Sequence, residues 1–115
     1  MKYMLLIYAD EGGFKNASQA DTAQMMTAYG AYTEAMKKAG VLTASERLQP
    51  AAAATTVRMA KGKPEVLNGP YAETKEQLGG YYEIDVPDLD TALSWASRCP
   101  GANHGTIEVR PIWAM

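Results

Sequence analysis

Lys2-Tyr3-Met4-Leu5-Leu6-Ile7-Tyr8 is the stretch on which the fold turns. Tyr3, Leu5 and Ile7 would fall on one side of an extended strand, and Met4, Leu6 and Tyr8 on the other. A strand with one wet face alternates apolar and polar residues; this one does not, so both faces call for cover. In a chain of 115 residues, one domain's worth spanning 1–115, the helices can cover one face of a sheet. A second subunit is the simplest cover for the other, which predicts a homodimer.

After this strand, Asp10 to Ala17 reads as a loop containing the Gly12-Gly13 pair. A helix from Ser18 or Asp21 to Ala39 follows. Met25, Tyr29, Tyr32, Met36 and Ala39 recur at steps of four and three, which makes one helical stripe. Ser18 suits the N-cap, Gly40 the left-handed C-terminal position, and Lys37 and Lys38 complement the helix dipole. Val41 to Leu48 is a second extended segment, and Ala51 to Ala54 a linker. Thr55 to Met59 and Glu65 to Leu67 form a hairpin about a tight turn at Lys61-Gly62. Gly79 to Val86 is a further strand, with Tyr82, Ile84 and Val86 on one side. Asp88 caps a second helix whose predicted stripe is Leu89, Ala92, Leu93 and Ala96, closed by Pro100. Thr106 to Ile112 is the last strand. Strand, helix, strand, hairpin, strand, helix, strand is an α+β order: a ferredoxin-like subunit with an inserted β-hairpin.

Between the hairpin and the Gly79 strand lies Asn68-Gly69-Pro70-Tyr71-Ala72-Glu73-Thr74-Lys75-Glu76. This segment resembles the DGPFAETKE signature of the YCII-related group, with Asn68 and Tyr71 where the signature has Asp and Phe. MKYMLLIYAD, the AGVL after the first helix, YYEIDVPDLDTALSWA and IEVRPI are similar to the same family, so the likeness covers nearly the whole chain. It implies a ferredoxin-like subunit of the dimeric α/β-barrel type, with two sheets packed face to face and a cleft near the dimer interface. It also implies a rival reading, a non-catalytic regulatory or interaction module, because genes of this family are often found beside those for extracytoplasmic-function sigma factors. In the wider group a His and an Asp have been suggested as a catalytic pair. His104 is the one histidine here and stands far from the first strand and first helix in sequence, so that pair is not carried over.

The signature loop is the leading candidate site. Gly69 permits an unusual backbone, Pro70 fixes the turn, and Tyr71, Glu73 and Lys75 supply an aromatic ring and charges of both signs. If Glu73 begins a helical turn, its free N–H groups and Lys75 would hold an anion; the alternative is that Glu73 and Lys75 cap a structural turn. Asp10 and Glu11 lie at the C-terminal end of the first strand, where an acid is either a general base or a solvated loop acid. Glu46 and Arg47 interrupt an apolar segment, as a buried pair lining a cleft or as an edge salt bridge. These readings nominate Asp10 and Glu73 as catalytic groups, and Arg47, Gly69, Pro70, Tyr71 and Lys75 as ligand contacts. The ligand expected is a small organic or anionic molecule.

Cys99 and His104 lack the companions that a metal centre or a nucleophile needs, so no metal and no cofactor are expected. Cys99 reads as a small buried apolar residue and His104 as a loop histidine. A formal net charge of −2 argues against a sequence-independent grip on nucleic acid. No apolar run is long enough to span a membrane, and MKYMLLIY runs straight into Asp10 and Glu11 without a cleavage site. With a single cysteine, the expectation is a cytoplasmic protein.

Overall fold

Strand β1 (Lys2–Ala9) lies inside a four-stranded antiparallel sheet, between β5 (Gln77–Asp85) and β6 (Thr106–Pro111). This is a computed structural model; it describes residues 1–114, and of Phe14 and Lys15 the backbone alone. β2 (Leu42–Arg47) pairs with the far side of β5, giving the order β2-β5-β1-β6. β3 (Thr55–Ala60) and β4 (Lys63–Asn68) pair only with each other, as a separate two-stranded ribbon. Among the described residues there are three α-helices: α1 (Glu11–Lys15), α2 (Gln19–Lys38) and α3 (Leu89–Arg98). The result is an α+β fold built on antiparallel sheets.

The core forms where α2 and α3 meet the sheet face that carries Tyr3, Leu5, Tyr82 and Ile84. Leu5, Met36, Ile84 and Cys99 are fully buried. Truncating any of the first three to Ala would remove about 2–5 kcal/mol of stability. Tyr32 stands at the centre, its ring edge-on to Tyr82 with centroids 5.3 Å apart and a further edge contact to Trp95. Met4, Leu6 and Tyr8 point the other way, where only partial cover exists.

The local signals act where the sequence places them. The Ser18 side chain accepts from the Asp21 N–H and starts α2; Gly40, at φ 71°, follows its C-cap Ala39. Asp88 accepts from the Thr91 N–H at 2.8 Å and starts α3. Lys61 and Gly62 both take positive φ and turn the chain between β3 and β4.

Three expectations are corrected. Residues 11–15 form the short helix α1 rather than a loop. The Asp10 carboxylate accepts from the Gly12 N–H at 2.9 Å, and the Glu11 N–H donates to Gln77 on β5, so one local and one distant acceptor fix the turn despite two glycines. The buried face of α3 is Ala92, Trp95 and Ala96, continued by Cys99. Leu89 and Leu93 lie outside at 47% and 46% exposure, because the larger Trp95 ring takes the contact with Tyr32. Residues 70–76 form no helical turn but a series of bends, entered through Gly69 at φ 104°. No described helix is long and apolar enough to cross a membrane.

Candidate functional site

Across the helix-covered face of the sheet, Ile7, Gly80 and Arg47 stand opposite one another on β1, β5 and β2. Gly80 contributes no side chain, so the row has a gap at its centre. A β-bulge at Gly79 shifts the pairing just there, from Ile7↔Gly80 to Tyr8↔Leu78. A Cβ on Gly80 would lie 2.8 Å from the Glu46 carbonyl oxygen, so that position has to be glycine.

Above the gap hangs the N-terminal half of α2. Its buried residues, Tyr32 and Met36, both lie in the C-terminal half. Residues 19–28 stand clear of the sheet and are exposed except for Met25. The space between helix and sheet is a cavity of about 860 Å³, within the range of about 300–1,000 Å³ usual for small-molecule sites. Its apolar walls are Ile7, Met25, Met26, Leu48 and Tyr82; Asp10, Tyr29, Arg47 and His104 bring polar groups to it.

Each polar group is placed by a different device. Asp10 follows β1 directly. Glu11 straps the lower wall: its carboxylate accepts from the Ala51 N–H at 2.8 Å, fixing the 3₁₀ turn Ala51–Ala53. Arg47 reaches from β2 to α2, with Nη1 3.7 Å from the Met26 sulfur. No carboxylate lies within ion-pair distance of it among the described residues. Its guanidinium is therefore available to an anion. His104 is carried by the 3₁₀ turn Pro100–Asn103, and the next residue, Gly105, packs so tightly on β1 that a Cβ would lie 2.0 Å from the Tyr8 carbonyl oxygen. That contact seats an exposed loop histidine in the same cavity wall system as Asp10.

Deeper in, Tyr29 is neutral at any physiological pH. Burial raises its hydroxyl well above the ordinary range, and the neighbouring Cys99 thiol adds to this. The thiol itself is fully buried, 3.9 Å from the Tyr29 oxygen, and burial raises it too. Cys99 thus behaves as the apolar packing residue its position suggests, and Tyr29 as a hydrogen-bonding group rather than an acid.

The residues nominated from the sequence separate into two groups. Asp10 and Arg47 both line the cavity. Gly69, Pro70, Tyr71, Glu73 and Lys75 do not; they occupy the bends at the foot of the β3–β4 ribbon, where Tyr71 is 79% exposed. Glu73 and Lys75 are exposed and form no ion pair among the described residues. Glu46 and Arg47 are not a pair: they face opposite sides of β2, Glu46 in register with Tyr81 and Arg47 with Gly80. His104, read as a loop residue, joins the cavity, as do Tyr29 and Met25. The alternation of β2 could have excluded the Glu46–Arg47 pair, but nothing near His104 in the sequence marks it as a neighbour of Asp10. Among the described residues no group of three or more His, Cys, Asp or Glu side chains is disposed to hold a metal ion.

The family model for the YCII-related domain matches residues 1–115, and the chain belongs to that family. It is 40% identical over 114 residues to an uncharacterised protein of Rhizobium meliloti (strain 1021), a match that covers 97% of this chain and 92% of the relative.

Proposed function

We propose that this protein binds a small molecule with an apolar body and one anionic group in the cavity beneath α2. The observation that carries the reading is the combination at the Ile7–Gly80–Arg47 row: a glycine-made hollow of ligand size beside an arginine with no carboxylate partner among the described residues. The thioethers of Met25 and Met26 adapt to an apolar body. Arg47 supplies a charge-assisted hydrogen bond to a carboxylate, sulfonate or phosphate. Asp10 and His104 are the groups available for acid–base work on a ligand so held.

The strand order β2-β5-β1-β6, with helices after β1 and β5, supports a ferredoxin-like subunit into which β3 and β4 are inserted. The half-covered row Met4, Leu6 and Tyr8 supports a homodimer in which a second copy covers this sheet face. On this reading Leu6→Glu gives a monomer in sedimentation at micromolar concentration, and a monomeric wild type would remove it.

The cavity is tested with 1-anilinonaphthalene-8-sulfonate, whose sulfonate stands for the anion and whose rings stand for the apolar body. Saturable fluorescence enhancement is expected, weakened about tenfold by Arg47→Met and weakened also by Met25→Trp, which narrows the space. Binding that is non-saturable, or indifferent to both substitutions, would overturn the proposal.

A further inference from the structure

The β3–β4 ribbon is the least self-sufficient part of the molecule. Its strands pair only with each other, and an isolated two-stranded ribbon is at best marginally stable in water. One of its faces sets Val57 opposite Val66 and Met59 opposite Pro64. Val57, Met59 and Val66 are 63%, 65% and 61% exposed, so this apolar strip meets little of its own chain. The ribbon helps to spread the molecule: the radius of gyration is 16.1 Å, where a compact domain of this length would measure about 13 Å.

The same chain carries a second surface with the opposite charge. On the open face of the four-stranded sheet Met4, Leu6 and Tyr8 are only partly covered, and Glu83, Glu108 and Arg110 stand beside them in register. Arg110 is already paired with Glu108 at 2.8 Å. The ribbon offers the complement at its tip, where Lys61 stands in the turn and Lys63 beside it; Arg58 and Glu65 stand opposite each other on the ribbon's other face. An apolar strip with a basic tip on one part of the chain matches an apolar row with acidic neighbours on another, and a two-fold assembly would satisfy both at once.

We infer that the ribbon is an arm that lays its Val57–Met59–Val66 face on a second copy of this chain, with its basic tip toward the acidic margin of that copy's open sheet face. Each protomer is then clasped by its partner's arm. This rests on the dimer reading above, in which a second copy covers the open sheet face; the arm names the part of that copy that does so.

The test uses the full chain. Val57→Lys with Val66→Lys is expected to raise the dimer dissociation constant about tenfold or more in sedimentation velocity, with the circular dichroism of the sheet and helices retained. In parallel, Lys63→Cys labelled with a benzophenone maleimide is photolysed in a mixture of isotopically light and heavy chains. Crosslinked peptides joining light to heavy chains, with the acceptor on the open sheet face, are the expected result. If wild type is dimeric while the double variant dissociates no more readily and crosslinks stay within one chain, the arm is overturned and the dimer stands. If wild type is a monomer, both fall together.

Discussion

The Tyr32 hydroxyl donates a 2.7 Å hydrogen bond to the carbonyl of Trp95, tying the C-terminal half of α2 to the last turn of α3. Carbonyls in a last helical turn lack in-helix donors, so this bond answers a need of α3 while anchoring α2. With the anchor at Tyr32 and Met36, the other half of α2 is left to overhang the sheet, and the cavity lies beneath it.

Tyr32→Phe keeps the ring contacts but leaves the Trp95 carbonyl buried and unpaired. Thermal or urea unfolding is expected to show a loss of about 1–3 kcal/mol. Because the bond holds α2 at one point, proteolysis of residues 19–28 is expected to quicken in the same variant.

Gly105→Ala places a methyl group against the Tyr8 carbonyl, at a separation no packing tolerates. Backbone movement there is expected to cost about 1–3 kcal/mol or more and to shift His104. The check is the melting temperature together with the His104 ring resonances. By contrast Gly13→Ala, where nothing lies within 4 Å of the added carbon, is expected to melt at or above wild type because Gly13 sits in α1.

Glu73→Gln and Lys75→Met are expected to leave the melting temperature nearly unchanged. Both side chains are exposed and neither is in an ion pair among the described residues, and exposed charges of this kind contribute about 0–1 kcal/mol. A loss well above that range in both variants would show that the signature loop is built around these charges.

Hydrogen bonds from the Thr91 hydroxyl and backbone N–H hold the Asp88 carboxyl below the usual carboxylate range. Its folded pKa is depressed, so its contribution to stability is present at neutral pH and lost as pH falls through the folded value. Asp88→Ala is therefore expected to melt below wild type at pH 7, with the gap closing in acid. Melting curves of both proteins from pH 7 down to the acid limit check the sign.

The chemistry of short segments was legible in the sequence. Ser18 and Asp88 as caps, Gly40 as a helix stop, Lys61-Gly62 as a turn and the two apolar faces of β1 each depend on residues a few positions apart. They act before any tertiary contact forms. The series of strands and helices followed from them, as did Asp10 at the end of β1 and Arg47 near the end of β2. Where local preference was weak the reading failed. Glycines 12 and 13 did not prevent a helix held by Asp10 and Gln77, and the stripe of α3 rotated from the leucines to Trp95 to meet Tyr32. The cavity itself was not legible. It exists because Ile7, Arg47 and Gly80 fall into one row, because α2 is anchored at only one end, and because Gly105 brings His104 beside β1. Those are matters of register and close packing between segments tens of residues apart, and only the folded chain decides them.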